Sequence, residues 1–441
     1  MKLNKIIWEE SLLAMEGMPD NYFDSMVTDP PAGIGFMNKE FDEDKGGRDI
    51  WIKWLSGIMG EALRVLKPGA HAFVWSLPRT SHWTGMALEN AGFEVRDQIL
   101  HIFGQGFPKS LDVSKAIDSL AYFGNSGTQN LRNVEQQFGT DEYKLNGTVN
   151  GILGKKKQYS RKVFDEPITE PAKKYKGFGT ALKPATECWW LVRKPLSEHT
   201  VAQNVMLWGT GALNLDACRI GSNGGTKTNP DGDKQDKNNI LGKGYAKNRG
   251  EQVKGLGRFP SNLVHDGSDP IMKEFEKYKT TKSSIGNYKD YNSSIMSYSG
   301  IRGYDDGGSV ARFFYCSKPS KRERDMGLDS LPKSRADNRI DDNKFDLAEG
   351  HNIHPTVKSQ KLMRYLVKMI TPIHGKVIDP FCGSGSTCMA AKSLNRKYIG
   401  IDMSSKYCEI SRLRIKAVTR GWYPGIMKSE YRRINGFNKE E

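Results

Sequence analysis

Apolar and polar residues alternate along the first 120 positions in a way that predicts strands and helices in turn. Phe23–Val27 is a short apolar run of strand length, and it empties into Thr28-Asp29-Pro30-Pro31. From Ile50 to Leu66 apolar residues recur at helical spacing until Lys67-Pro68-Gly69 stops them. A second strand follows at Ala70–Trp75. A helix over Met86–Ala91 ends at Gly92, where a glycine just past the last turn is favoured. Val95–Phe103 reads as a further strand. This βαβα rhythm implies a mostly parallel sheet with helices on its faces.

The pattern then degrades. Residues 121–176, 221–257 and 275–310 are rich in Gly, Asn, Ser and Lys and carry no sustained period, as long polar loops do. Between them lie the apolar strand Cys188–Val192 and a short ordered piece at Ala311–Tyr315. From His354 the rhythm returns: a helix over Ser359–Met369, a strand at Val377-Ile378, a helix over Ser386–Leu394 and a strand over Tyr398–Ile401. The strand Val377-Ile378 empties into Asp379-Pro380-Phe381-Cys382-Gly383-Ser384-Gly385, more than 300 residues after the Asp29 loop. Two halves of one α/β sheet, interrupted by an insertion, account for this order. Their loops lie where open α/β sheets bind ligands.

Length and composition narrow the class. A chain of 441 residues with 37% apolar content can bury a core while carrying long polar loops. It has no run of about 18 apolar residues, and Met1-Lys2-Leu3-Asn4-Lys5 lacks the apolar stretch of a signal peptide, so a soluble, cytoplasmic protein that does not enter a membrane is expected. The six cysteines (188, 218, 316, 382, 388 and 408) form no C-x-x-C pair and read as buried free thiols. His351 and His354 have no companions at ligand spacing, so no metal site is expected. The net charge of +15 is uneven: residues 1–140 hold 13 Lys and Arg against 18 Asp and Glu, whereas residues 351–441 hold 17 against 6. A basic end of that kind suits a polyanionic partner, nucleic acid above all.

Two loops carry candidate chemistry. Gly383 and Gly385 allow close backbone approach where a strand turns into a helix. Asp402, 23 residues beyond Asp379 and just after the next strand, stands where an acidic side chain accepts hydrogen bonds from ribose hydroxyls. A nicotinamide dinucleotide would favour a third glycine where Cys388 stands. In Asp29-Pro30-Pro31 the prolines remove two backbone donors, which leaves carbonyls and a carboxylate as an acceptor-only surface. That surface matches an exocyclic amine, a double donor. A structural Pro-Pro turn is the plainer alternative for this motif in isolation.

Taken in order, Thr28-Asp29-Pro30-Pro31, His354-Pro355-Thr356-Val357-Lys358 and Asp379-Pro380-Phe381-Cys382-Gly383-Ser384-Gly385 resemble the β-class amino-methyltransferases of DNA, in which the catalytic loop precedes the S-adenosylmethionine loop. Gly106-Phe107-Pro108-Lys109-Ser110, Gly179–Pro184, Arg258–Asn262 and Phe313–Lys318 are similar to the subgroup common in phages and prophages. The resemblance implies a Rossmann-like methyltransferase fold with an inserted target-recognition region. Residues 1–215 would be the catalytic half, 216–350 the recognition region, 351–425 the cofactor half and 426–441 a basic tail. It implies methyl transfer from S-adenosyl-L-methionine to adenine N6 in double-stranded DNA, with cytosine N4 as the alternative, since aspartate at 29 leans toward adenine. Asp29 and the Pro30 carbonyl, with Pro31 and Ala32 completing the motif, would hold the target amine. Asp379, Pro380, Phe381, Gly383, Gly385 and Asp402 would form the cofactor pocket, Thr356 and Lys358 would lie near the methionine end, and Glu10 would face the adenine unless it is a surface residue at a helix start. Arg432 and Arg433 would grip phosphates.

The chain departs from the family at two places. Ala32 replaces an aromatic that stacks on the extruded base, an interaction worth roughly 1–3 kcal/mol. Phe36, Phe178 or Trp189 could substitute, although core packing is the ordinary use of each. Ser359 replaces a proline, which a serine beginning a helix tolerates. A decayed homologue that only binds DNA is the competing reading that Ala32 raises. The oligomeric state and the recognition sequence have no signature here.

Overall fold

The computed structural model describes residues 1–35, 42–104, 110–123, 169–220, 259–277, 318–333 and 350–418, with residues 167, 311 and 314 and four short strand segments besides. The elements in chain order are β1 (Lys5–Trp8), α1 (Ser11–Glu16), β2 (Phe23–Thr28), α2 (Arg48–Val65), β3 (Leu66–Ser76), α3 (Ser81–Asn90), β4 (Glu94–Ile102), α4 (Val113–Phe123), β5 (Thr186–Arg193), α5 (Val201–Trp208), β6 (Leu263–His265), α6 (Gln360–Ile370), β7 (Lys376–Asp379), α7 (Ser386–Ser393), β8 (Lys397–Asp402) and α8 (Ser405–Ala417). Eight strands make one sheet in the order β1-β8-β7-β2-β3-β5-β4-β6. The two ends of the chain meet in its middle: β2 and β7 are parallel neighbours, with Val377 opposite Ser25 and Ile378 opposite Met26.

The sheet is parallel except at β5, which runs antiparallel to both β3 and β4. The elements expected between Phe23 and Phe103, at Cys188–Val192 and between Ser359 and Ile401 are present with shifted ends, and most of the piece expected at Ala311–Tyr315 lies outside the described residues. Helix α2 stops at Val65, and β3 starts at once with Leu66. The left-handed Gly92 (φ +97°) follows the last turn of α3. Helices α4 and α5 fall outside the predicted elements, and so do three further features. The short strand β1 forms one edge by pairing with β8. Helix α8 closes the C-terminal half. Strand β6, from within the expected recognition region, adds the opposite edge beside β4.

Alternation along the buried strands sorts residues to two cores. Met26, Ala72, Val74 and Ile378 face α1, α2 and α3, among Trp51, Leu55, Met59 and Leu66. Val27, Phe73 and Val377 face α6 and α7, among Leu362, Leu366, Val367 and Met389. The five described cysteines are free and buried. No helix among the described residues is long and apolar enough to cross a membrane.

By internal contacts the chain divides into two compact units, residues 1–104 with 186–441, and residues 105–185. In the second unit the Asp118 carboxylate takes the Thr169 N–H and hydroxyl (3.0 and 2.7 Å), and the Thr180 N–H donates to the Ser110 hydroxyl (2.9 Å).

Asp24 ties the halves of the sheet at the opposite end from the loops. Its buried carboxylate accepts from Lys67 Nζ (2.5 Å) and from the Lys376 N–H (2.7 Å), so it links β2 to β3 and to β7. Asp24→Ala leaves both donors unpaired. It is expected to destabilise the protein by about 2–3 kcal/mol, read as a lower urea midpoint.

Candidate active site

Because β2, β3, β7 and β8 are parallel, their C-terminal ends share one edge of the sheet, and antiparallel β5 brings its first residues to the same edge. Strand β2 is buried throughout and ends where the Thr28 hydroxyl donates to Asp379 Oδ1 (2.7 Å). The Thr387 hydroxyl donates to the Val27 carbonyl (3.2 Å) from α7. These bonds hold the Asp29 loop and the glycine loop side by side.

Past Thr28 the chain enters Asp29-Pro30-Pro31-Ala32, and one residue that the sequence reading did not pick fastens the turn. Asp42 Oδ1 accepts the N–H groups of Ala32 (2.5 Å) and Gly33 (3.1 Å). The Thr80 hydroxyl donates to the Ala32 carbonyl (3.1 Å). Gly33 is left-handed (φ +69°), and a Cβ there would lie 2.6 Å from Trp51 Nε1. The loop is therefore laid directly on a cluster of Trp51, Trp54 and Trp83. No sequence signal marks Asp42, because its partner lies ten residues away across a loop.

Asp29 keeps 22% of its side chain exposed, and Lys358 Nζ stands 2.9 Å from its Oδ2. The same ammonium lies 4.2 Å from the centroid of the Trp75 ring. Burial raises the Asp29 pKa, Lys358 pulls it down, and Glu187 and Asp42 push it further up. Burial also works against the Lys358 charge, but Asp29 and Glu187 outweigh it and raise that pKa. Glu187 is opposed by burial too, yet Lys358 and His101 hold its carboxyl down at about 2. Thus Lys358 turns to Asp29 in this structure. Thr356 is exposed on the strap before α6, where its N–H donates to His354 Nδ1 (3.3 Å).

The glycine loop owes its shape to its own packing. Gly383 (φ +48°) and Gly385 (φ +78°) are left-handed; a Cβ on the first would strike the His354 ring, and one on the second would press on Ser411 at 3.0 Å. Asp402 takes the Gly383 N–H on one oxygen (2.9 Å) and the Ser404 N–H on the other (2.8 Å). The buried Arg414 guanidinium donates to the Ser384 carbonyl (2.6 Å) and the Ser411 hydroxyl to the Gly383 carbonyl (2.6 Å), anchoring the loop to α8. The Ser11 hydroxyl reaches the Pro380 carbonyl (2.5 Å). Phe381 approaches Trp54, with ring centroids 6.1 Å apart. Burial, with Arg414, Lys358 and Arg324 nearby, lowers the His354 pKa to about 3, so its imidazole is neutral.

Glu10 is the N-cap of α1, where its Oε2 accepts from the N–H groups of Leu12 (2.8 Å) and Leu13 (3.1 Å). It still follows Trp8, the residue paired with Asp402, and so belongs to the same edge. Trp8 and Met403 next to it are 64% and 67% exposed, joined by the Trp8 indole N–H to the Met403 carbonyl (3.0 Å). Among the rings proposed to replace an aromatic at Ala32, Trp189 is fully buried in the core and cannot stack on a base. Phe178 is exposed in the second unit, and Phe36 lies outside the described residues. Arg432 and Arg433 lie outside them as well.

This edge suits a cationic nucleoside. An ionised carboxylate has about four acceptor positions, and each Asp402 oxygen uses one, which leaves capacity for ribose hydroxyls. Asp379 is a buried acid one strand away, and Trp8 and Met403 offer apolar surface.

Residues 23–413 match the DNA methylase family model of the N6/N4 methyltransferases, and the chain belongs to that family, whose members depend on S-adenosylmethionine. It is 41% identical over 64 residues to the type II methyltransferase M2.DpnII of Streptococcus pneumoniae, covering 14% of this chain and 24% of that protein. It is 39% identical over 69 residues to the type II methyltransferase M2.LlaDCHI of Lactococcus lactis subsp. cremoris, covering 15% and 26%. The matched stretches span about a quarter of these relatives. Among solved structures, the cytosine-N4-specific PvuII DNA methyltransferase aligns over 99% of this chain and 95% of its own at 12% identity, with a TM-score of 0.42. The family and the mostly parallel sheet both agree with the sequence expectation.

Burial pushes the Asp379 carboxyl up to about 7, against hydrogen bonds from Thr387, Thr28 and the Phe381 N–H and with added repulsion from Asp29. Its ordinary value is 3.8, so the folded state holds a proton that the unfolded chain has lost over this range. That contribution is full below the lower value and disappears as pH rises through the upper one. Relative to Asp379→Asn, the ligand-free protein is expected to lose stability between pH values of about 5 and 8. Urea denaturation of both proteins at the two pH values checks the sign.

Proposed function

We propose that this chain methylates adenine N6 at specific sites in double-stranded DNA, using S-adenosyl-L-methionine. The observation that carries this reading is Asp29, an aspartate beside a donor-free Pro-Pro backbone, held at a parallel strand end next to the glycine loop. Asp29 and the Pro30 carbonyl would accept the two N–H groups of the exocyclic amine and turn its lone pair outward. Asp379, Phe381, Gly383, Gly385 and Asp402 would hold the cofactor, with Glu10 at the rim. When bound, S-adenosylmethionine supplies an electrophilic methyl group on a sulfonium centre.

The amine needs no strong base before attack, because methylation itself makes it cationic and acidic. Asp29 therefore acts by orientation and by its charge. A duplex hides the target atom, so the base is flipped out at a cost of roughly a few kcal/mol. Aspartate at position 29 favours adenine over cytosine. Residues 216–350 would read the sequence and basic side chains of the C-terminal tail would contact phosphates, which makes binding salt-dependent. The reaction takes place in the cytoplasm, where the DNA partner is.

Nucleoside mass spectrometry of DNA from a modification-free host expressing the chain is expected to show N6-methyldeoxyadenosine. N4-methyldeoxycytidine instead would redirect the reading to cytosine. Asp29→Ala is expected to abolish methylation while crosslinking to labelled S-adenosylmethionine persists. Turnover retained in that variant overturns the assignment, and an unaltered chain that neither crosslinks to S-adenosylmethionine nor yields methylated nucleosides points to a DNA-binding homologue.

A further inference from the structure

More charge surrounds Asp29 than a grip on a neutral amine requires. Lys358 pairs with it at 2.9 Å and is only 11% exposed. Glu187, at the start of β5, acts on the same ammonium. His101, at the end of β4, stands behind Glu187 with its Nδ1 3.8 Å from Oε2. Four separate elements deliver these groups: the loop after β2, the strap before α6, and the paired ends of β5 and β4, where Glu187 lies opposite His101. Trp75 lies beneath the ammonium with its ring face, a cation–π contact that favours a cation at that point.

Charge counting gives the arrangement a purpose. Lys358 alone would cancel Asp29, leaving no net field for a nitrogen that turns positive. Counting Asp29, Glu187 and Lys358, two carboxylates share one ammonium and the three together carry one negative charge. We infer that Lys358 and Glu187 are positioning residues for Asp29: Lys358 keeps the carboxylate ionised and aimed, and Glu187 draws on the same ammonium so that a net negative charge faces the reacting amine. The inference rests on the proposed amine methylation. In that reaction the nitrogen lone pair forms the new N–C bond as the C–S bond breaks, and the electrons of the broken bond stay on sulfur. Positive charge passes to nitrogen, whose proton then leaves to water. Asp42 and Asp379 also face Asp29, from the loop before α2 and from the end of β7. Both stay unchanged in the variants below.

A plain structural role makes a different prediction. If Lys358 and Glu187 only staple β5 to the strap, removing both is at least as harmful as removing either one. If they set the charge at Asp29, Lys358→Met leaves two repelling carboxylates, Glu187→Gln leaves a neutral pair, and the double variant restores a single negative charge. The test uses the full chain and a duplex carrying the site mapped by sequencing methylated DNA. Each single variant is expected to lower kcat about tenfold or more, with KM for S-adenosylmethionine little changed. The double variant is expected to exceed Lys358→Met in kcat, a non-additivity characteristic of coupled groups.

The acidic limb of the kcat profile is expected to move up in Lys358→Met, where Asp29 loses its cation, and down in Glu187→Gln, where it loses a repelling charge. Thermal melting without cofactor or DNA supplies a readout independent of turnover. Lys358→Met should lose stability as pH rises from about 5 to 8, because its unpaired carboxylates bind protons more tightly when folded, and the double variant should lose less. A double variant no better than Lys358→Met, or an acidic limb that stays fixed in both single variants, overturns the inference. Should the double variant fail to melt cooperatively, the near-isosteric Glu187→Gln decides by its acidic limb alone. An unmodified chain that leaves DNA unmethylated sinks the reading beneath it instead.

Discussion

Strands β2 and β7 come from opposite ends of the chain, and the hydrogen bond between Thr28 and Asp379 joins residues 351 positions apart. Closing so long a loop costs entropy, but the cost grows only with the logarithm of its length. Val27, Met26, Val377 and Ile378 are all fully buried, and their burial in two cores offsets it. Without this pairing the acceptor-only loop and the glycine loop would be two unrelated turns. With it they share one edge, and the polypeptide between them can vary without moving either.

That edge concentrates acids in a place that water reaches poorly. Asp29, Glu187, Asp379 and Asp402 lie along it, and each meets its charge differently. Asp402 spends hydrogen-bonding capacity on the N–H groups of Gly383 and Ser404. Glu187 is held ionised by Lys358 and His101. Asp379 is held by hydroxyls rather than by a cation, and burial lifts it to about 7. Asp29 shares its lysine. A cationic sulfonium nucleoside and an amine that becomes cationic are the kinds of ligand such a field favours.

At the glycines, local packing adds a second physical reason for the residue type. Gly383 and Gly385 were read as allowing a ligand close to the backbone. Both do adopt left-handed conformations, but the space a Cβ would fill is already taken by His354 and Ser411. They let the loop seat against the strap before α6 and against α8. Glu10 lies at the same edge, with its carboxylate capping α1. The resemblance puts Lys358 near the methionine end of the cofactor, and in the structure its ammonium pairs with Asp29.

Local pattern by itself determined much of this protein. Strand and helix periodicity, with Pro and Gly as stops, located β2, β3, β4, β5, α6, β7, α7 and β8 because burial imposes those periods on the sequence. The ordered motifs located the Asp29 and Gly383 loops. What only the tertiary structure decided are relations between residues distant in the chain: β1 and β6 at the edges of the sheet, the reversed direction of β5, Asp42 fastening the Ala32 turn, and Glu187 meeting Lys358. Four-residue β1 and three-residue β6 are too short to show a period, and β5 looks alike read in either direction. A charged pair has no signature at all until folding brings its members together, since Coulomb attraction depends on distance in space and not on separation along the chain.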